Sequence, residues 1–388
     1  MKAGEVVAHM IGKEDMSRDF TLLIDGKNAF PEILRCIAAA RRSIYINMFI
    51  WRDDAIGNAI AQAVLEAAQR GVQVELSVDR YGVVLEKSEE SKRSFFHKRQ
   101  SLAERGKITA LELLYPMENA PRKAQDRETE LYRAIMSHPN IRVERNEFKA
   151  DHSKYYIFDG EVLILGGINI EDKENGQDLQ GRIYQDYMVK LTGRQYVDAL
   201  VTKLQRTEVH SSGYFFGVNV KKPERYFEME TLYLSMIENA RQELTVTMAY
   251  FSPLPRFVDA LVAAHRRGVR VTVLVPQRAN YQSDSNLKAV HQLLRKSDGG
   301  IAVYLSPKMV HTKLLVNDGY ITFGSCNITK KAFRQLSELN LFVRRRDSDF
   351  ERALLASVAE NQALSHRVSD YREITYHRLL AWLEGFLV

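Results

Sequence analysis

Residues 43–80, SIYINMFIWRDDAIGNAIAQAVLEAAQRGVQVELSVDR, change their hydrophobic rhythm twice. An apolar run opens the stretch, an amphipathic segment follows a short polar loop, and a second apolar run begins after Arg70-Gly71-Val72. The pattern predicts strand, loop, helix, turn and strand. Gly71 suits the position just past a helix end, where the backbone turns left-handed. Strands joined through a helix of ten or more residues run parallel, which places the chain in the α/β class.

Residues 243–278, ELTVTMAYFSPLPRFVDALVAAHRRGVRVTVLVPQR, repeat the plan, with Arg267-Gly268-Val269 at the equivalent turn. A chain of 388 residues exceeds the usual single domain, and the repeat reads as a duplication with halves at 1–205 and 206–388. The first half is longer between its turn glycine and the histidine discussed below. The extra residues fall at about 86–145, a charged segment containing KSEESKRSFFHKRQ and PRKAQDRETELYRAI. It reads as solvated helices and loops, either a plain insertion or one that shapes substrate access.

The net charge of +6 points to an anionic partner: a phospholipid surface, nucleic acid or a phosphorylated substrate. With 45% hydrophobic residues the chain can bury a core. The first twenty residues lack the apolar run of a signal peptide, and no stretch has the roughly 18 apolar residues of a spanning helix. A cytoplasmic protein is expected. Cys36 and Cys326 are too few for a disulfide framework and lack zinc-ligand neighbours.

Each half then carries a second element, ADHSKYYIFDG at 150–160 and VHTKLLVNDG at 310–319. On a strand, His152 and Lys154, or His311 and Lys313, project to the same side and can meet one phosphate. Asp159 lies roughly 23 Å further along an extended chain at about 3.3 Å per residue. Asp159-Gly160 and Asp318-Gly319 are hairpin signals, so a turn and framework role comes first for both aspartates. The hairpins return GGIN (166–169) and GSCN (324–327) beside the histidines. There Gly167 would let backbone approach an anion, while Asn169, Asn327 and Ser325 would donate to phosphoryl oxygens.

A neutral imidazole can attack phosphorus and form a phosphohistidine, while a protonated one gives its proton to the leaving alcohol. Two lysines beside them stabilise charge on the phosphoryl oxygens. The constellation needs no metal and no cofactor. Each histidine wants an orienting acceptor on its other ring nitrogen. Asp186 follows His152 and Glu338 follows His311, each at the start of an apolar run.

HSKYYIFDGEVLILGGIN and HTKLLVNDGYITFGSCN resemble the paired signature of the phospholipase D superfamily, His-x-Lys-x4-Asp followed by Gly-Ser-x-Asn. The resemblance spans most of the chain. It implies two pseudo-symmetric α/β/α sandwich halves sharing one active site. It counts His152, Lys154, Asp159, His311, Lys313 and Asp318 in the catalytic motifs, with His152 as nucleophile and His311 as general acid. Within the superfamily, residues 49–82 and 248–276 are most similar to bacterial cardiolipin synthases, which pass a phosphatidyl group between phospholipids. Without an apolar run like the N-terminal membrane helices of the long members, the sequence is expected to resemble a shorter, peripheral form. The implied enzyme acts on phosphatidylglycerol or phosphatidylethanolamine at the inner face of the cell membrane, with hydrolysis as a side or main activity. GGIN departs from Gly-Ser, and the second return strand is one residue shorter.

The rival reading is a nuclease using the same histidines. Its one base-stacking candidate is KRSFFHKRQ at 92–100. A binding-only phosphate site is the remaining class. Cys326 reads as a buried filler, and Arg344-Arg345-Arg346 as a solvated strand end or a headgroup contact. Residues 376–388 place Leu379, Trp382, Leu383 and Phe386 on one helical face, for packing on the domain or for insertion at a membrane interface.

Overall fold

The computed structural model describes residues 19–89, 91–117, 127–145, 148–207 and 213–387. The first eighteen residues, part of the 86–145 segment and the side chain of Phe386 lie outside the described residues. The first half runs β1 (Phe20–Ile24), α1 (Asp25–Ala39), β2 (Ser43–Met48), α2 (Ala55–Gln69), β3 (Gln73–Val78), α3 (Val83–Ser88), α4 (Leu102–Leu114) and α5 (Glu130–Ser137). It continues with β4 (Ile141–Glu144), β5 (Tyr155–Phe158), β6 (Val162–Gly166), β7 (Tyr184–Gln185), β8 (Tyr187–Thr192) and α6 (Arg194–Leu204).

The second half opens with β9 (Tyr214–Val220), β10 (Tyr226–Phe227), α7 (Met229–Asn239), β11 (Glu243–Met248), β12 (Phe251–Ser252), α8 (Pro255–Arg266), β13 (Arg270–Pro276) and α9 (Ser283–Lys296). Then come β14 (Ala302–Ser306), β15 (Met309–Val310), β16 (Lys313–Asn317), β17 (Tyr320–Gly324), β18 (Ile328–Thr329) and α10 (Lys330–Arg334). β19 (Glu338–Arg344), α11 (Asp349–Leu364), β20 (His366–Val368) and α12 (Arg378–Leu387) complete it.

Two mixed sheets form the frame, ordered β1-β8-β6-β5-β2-β3-β4 and β10-β9-β19-β17-β16-β11-β13-β14-β20. The repeat read in the sequence is the parallel side of each, β2-β3-β4 and β11-β13-β14. The histidine elements supply antiparallel hairpins beside them, β5-β6 and β16-β17. Alternation along these strands divides the core. Tyr155 and Leu314 face a shared middle core, whereas Tyr156 and Leu315 face the outer cores of their own halves. The outer cores hold α1 and α2, or α7, α8 and α9; α6 and α11 pack in the middle with residues of both sheets.

The parallel turns are built alike. Gly71 (φ 96°) and Gly268 (φ 90°) end their helices in left-handed conformation, with Val72 N–H on Ala67 O and Val269 N–H on Ala264 O. Arg70 and Arg267, just before them, donate to the last carbonyls of α1 and α7. The extra residues of the first half lie between β3 and β4, where the second half has α9 alone. They begin as a buried wall and not as solvated loop: Glu86, Glu89, Phe95, Phe96 and His97 are all buried. Arg345 is no loose strand end, since it pairs with Glu243 at 2.5 Å and Glu351 at 2.7 Å. α12 packs on α9 through Ala381 and Glu384, leaving Leu379 and Trp382 more than half exposed, so the packed face is not the one its leucines and tryptophan suggest.

Asp159 and Asp318 sit at the hairpin tips, at the far end of β5 and β16 from the histidines. Each carboxylate accepts three successive backbone N–H groups, Arg41 to Ser43 for Asp159 and Arg241 to Glu243 for Asp318, which pins the hairpin to the start of β2 or β11. The motif aspartates are therefore framework residues and do not reach the reacting groups.

Burial raises each carboxyl, but the amides outweigh it and hold both below 3.8. A depressed folded-state pKa contributes stability that is complete above the unfolded-state value and lost as pH falls through the folded one. Asp159→Ala should lower unfolding free energy at pH 7 by roughly 2 kcal/mol, and denaturant titrations should show that gap closing in acid below pH 3.8. A gap that persists there would refute the ionic cap.

Candidate active site

His152 and His311 each lie just before a central strand, and both approach the other half. The N–H of His152 donates to Ser337 O at 2.8 Å, and that of His311 to Gln185 O at 2.8 Å. Short parallel bridges accompany these bonds, Asp151 with Ser337 and β15 with β7. The residue after each accepting carbonyl is a carboxylate that starts or precedes a strand, Glu338 or Asp186. Each backbone bond thus delivers one half's imidazole to the other half's acid.

The side chains follow. His152 Nδ1 lies 3.1 Å from Glu338 Oε2 and 3.1 Å from Ser325 O. His311 Nδ1 lies 3.0 Å from Asp186 Oδ2. Both orienting residues named from the sequence reach a histidine, but crosswise: Asp186 serves His311 and Glu338 serves His152. Chain order suggested pairing within each half, and the interleaving of the halves reverses it. The Ser325 carbonyl and the Glu338 and Asp186 oxygens within hydrogen-bond distance favour the neutral tautomer with its proton on Nδ1 and its lone pair on Nε2.

Lys154 and Lys313 donate to the carbonyls of their own histidines, and both are buried. Burial and then the Lys313 charge push Lys154 down to about 7. Burial, then Lys313, push His311 down to about 4 against the bond to Asp186. His152 is lowered well below 6.5 by burial and by Lys154, and burial raises Glu338. Burial is the leading cause of each of these shifts, and an entering anion would favour the charged form of the two lysines.

The proposed phosphate ligands divide. A Cβ on Gly167 would stand 2.2 Å from Asp186 Oδ2, so this glycine makes room for the carboxylate and not for an anion. Ser325 gives its hydroxyl to Glu338 and accepts from Leu339 N–H, which commits it to the frame. Asn169 donates to Glu171 at 3.2 Å, and Asn327 accepts from Tyr250 N–H at 3.3 Å. Both asparagines lie just past the return strands β6 and β17. Cys326 is a free buried thiol, raised well above its ordinary value by burial. Among the described residues no group of three or more His, Cys, Asp or Glu side chains is arranged to hold a metal.

Several contacts had no readable signal. Glu174 Oε1 stands 3.2 Å from His311 Nδ1, beside Asp186 but without hydrogen-bond geometry. Burial and the Glu171 charge raise Glu174, which favours its neutral form. Only the acidic run EDKEN after the return strand hints at it. Phe49 stands edge-on to the His152 ring at 4.8 Å, and Tyr184 and Tyr250 flank His311 at 6.1 and 6.2 Å. Behind Tyr184 a buried ionic cluster joins Arg52 to Glu171 at 2.6 Å and Lys173 to Glu89 at 2.6 Å. Phe95 and Phe96, the stacking candidates, are core residues with no face to offer a base.

Residues 33–207 and 233–356 match the family described as cardiolipin synthase, PLD-like domain. The major cardiolipin synthase of Bacillus subtilis is 24% identical over 96% of this chain and 73% of its own length. Cardiolipin synthase B of Escherichia coli K12 is 26% identical over 84% of this chain and 76% of its own. Among solved structures, phosphatidylserine synthase of Haemophilus influenzae superposes with a TM-score of 0.68 at 13% identity, covering 94% of this chain and 92% of that one. Polyphosphate kinase of Porphyromonas gingivalis gives 0.55 at 14%, covering 94% and 50%. These likenesses show the fold, two α/β/α sandwich halves.

Two outcomes test the geometry. Gly167→Ala should displace Asp186 from His311 and slow cleavage of a simple phosphodiester by about 10- to 100-fold, with the His311 ring resonances shifting in NMR. An unshifted ring would contradict the close approach. Dimethyl phosphate, an anion that does not titrate near neutrality, should raise the depressed Lys154 on binding. Calorimetry at pH 7 in buffers of different ionisation enthalpy should then show net proton uptake, reduced in Lys154→Met. Net release would be incompatible with a buried amine near 7.

Proposed function

The chain belongs to the cardiolipin synthase family of phospholipase D-like proteins, and from that premise we propose that it passes a phosphatidyl group between phospholipids through a phosphohistidine. A phosphodiester-transferring enzyme with phospholipid substrates is what family membership supports directly. The donor and acceptor in this proposal are phosphatidylglycerol or phosphatidylethanolamine, met at the inner face of the cell membrane by a peripherally bound protein. Among the described residues no helix is long and apolar enough to cross a membrane.

The observation that carries the reading is the crossing of two histidine–carboxylate pairs within one buried cluster with two lysines. Residues 1–205 and 206–388 are then the two units whose meeting makes the site. In the proposed mechanism, the His152 Nε2 lone pair attacks phosphorus, and Glu338 steadies the positive charge that develops on the ring. With the substrate phosphate bound, its negative charge favours a second proton on His311, at Nε2; the bond from phosphorus to the leaving glycerol oxygen breaks, and that oxygen takes the Nε2 proton. Lys154 and Lys313 hold the phosphoryl oxygens, assisted by the amides of Asn169 and Asn327.

The second step reverses the roles. His311, now neutral, removes the proton of an acceptor hydroxyl, whose oxygen attacks phosphorus as the bond to His152 breaks. Water in the acceptor's place yields phosphatidate, so hydrolysis competes with transfer. His152 suits the nucleophile because its Nδ1 also meets a neutral carbonyl. His311 suits the acid because the Asp186 carboxylate at its Nδ1 favours the protonated ring, against burial and the Lys313 charge.

The deciding measurement is a product screen by mass spectrometry, with mixed phosphatidylglycerol and phosphatidylethanolamine liposomes and, separately, with DNA. Wild type should make a new phospholipid that His152→Ala does not. His311→Ala should turn over about 100- to 10,000-fold more slowly and hold label on a peptide containing His152. Shortened DNA with unchanged lipids would replace this reading with a nuclease, and label on the His311 peptide in a His152→Ala protein would exchange the roles.

A further inference from the structure

A cleft of about 670 Å³ lies one aromatic layer away from His311. Its walls come from parts that the duplicated frame does not require: the end of α4 within the first-half insertion, the loop at 180–182, the loop after β13, and α12. Arg182 stands over the Tyr184 ring at 5.6 Å, and that ring is 6.1 Å from His311. Asn280 accepts from Tyr250 OH at 2.7 Å, and the Tyr250 ring is 6.2 Å from His311. Two lining residues thus touch the two rings that flank the histidine.

The cleft has two characters. Leu114, Met117, Leu380 and Leu383 form an apolar wall, and Arg182, Arg278 and Asn280 form a polar one; two acids also line the cleft, Asp284, which accepts from His377 N–H, and Glu384, which accepts from Tyr115 O–H and Ser285 N–H. Arg182 is fixed by Asp178 at 2.9 Å and Glu89 at 3.6 Å, and Glu89 also accepts from Asn280 at 3.0 Å. Burial would raise Glu89, but Lys173, Arg52 and Arg182 hold it well below its ordinary value. Arg278 is exposed on the cleft's edge and makes no ion pair among the described residues. The surroundings are apolar as well: Leu113, Leu179, Ile183 and Leu379 are each exposed and each one residue along the chain from a lining residue. Exposed aliphatic residues gathered around a mouth that carries the exposed Arg278 guanidinium fit an anionic lipid surface.

We propose that this cleft seats the acceptor phospholipid, its phosphate at Arg278 and Arg182 and the start of its chains on the leucine wall. The inference rests on the transfer reading above, which requires a second amphiphile whose hydroxyl reaches the site beside His311. The volume lies within the range of ligand pockets and takes a headgroup and glycerol backbone, while the acyl chains continue past the aliphatic rim into the bilayer. The bond made is from the acceptor oxygen to phosphorus, the bond broken is from phosphorus to His152, and the proton goes to His311. The insertion and α12 then serve one purpose, as walls of the second lipid's seat.

The test uses the full chain. With phosphatidylglycerol vesicles, Arg278→Glu should lower the ratio of transfer to hydrolysis at least about tenfold, the worth of one charge-assisted hydrogen bond. In parallel, dihexanoylphosphatidylglycerol below its micelle concentration is titrated into His152→Ala, with two equivalents expected, and into His152→Ala/Arg278→Glu, with one. An unchanged ratio, or a single equivalent in both proteins, overturns the acceptor seat. If wild type makes no lipid product, the transfer reading fails, and the titration still decides whether a second anionic lipid binds in this cleft.

Discussion

Two backbone hydrogen bonds govern the site, His152 N–H to Ser337 O and His311 N–H to Gln185 O. Each places an imidazole one residue from a carboxylate of the other half, and so converts a duplicated fold into one chemical centre. Neither half alone presents an oriented histidine. The pairs themselves are weak evidence of stability, because taking their charges out of water cancels most of their attraction. Removing one partner is another matter, costing about 3–5 kcal/mol through the charge left behind. The crossed arrangement therefore fixes how the two sheets meet, and the middle core shared by Leu163, Leu165, Leu314, Val316 and Leu341 supplies the apolar area.

The two histidines are related by the duplication, yet their surroundings differ. Ser325 ties down Glu338 through its hydroxyl and meets His152 through its carbonyl. The corresponding Gly167 does neither, and Glu174 stands at His311 instead. One ring thus has a carboxylate and a neutral dipole at Nδ1, and the other has two carboxyl groups. A symmetric frame acquires unequal surroundings for its two rings through one serine-to-glycine exchange and one acid from a neighbouring turn. Unequal surroundings are what the proposed roles of nucleophile and acid call for.

The frame does not select a substrate. It is shared, at 13–14% identity, with proteins whose names refer to a phosphatidylserine synthase and a polyphosphate kinase. What differs from half to half in this chain is peripheral, and includes the segment between β3 and β4, the edge strands β10 and β20, and α12. Arg52, Glu89, Glu171 and Lys173, all buried, brace that segment against the turn after Asn169 and, through Asn280, against the second half. A buried ionic cluster of this kind is costly to form and tolerates little movement. Its position behind Tyr184 makes one side of the site rigid.

Much was legible in the residues alone, for local reasons. The period of apolar residues located both parallel units, the Arg-Gly-Val turns marked their helix ends, and Asp-Gly marked the hairpin tips with Asp159 as framework. Spacing also picked out Asp186 and Glu338, since an acid beginning an apolar run has to lie at a strand's end. Partnership was not legible. Whether Glu338 serves His311 or His152 depends on how two sheets interleave, and no local pattern encodes a contact between residues 186 positions apart. The same limit applies to Gly167, whose missing Cβ matters only because the Asp186 carboxylate occupies that space. It applies to Phe95 and Phe96, which look like a basic stacking surface until the core closes over them. Local chemistry determined the elements and the reacting groups; the packing of one half against the other decided which group meets which.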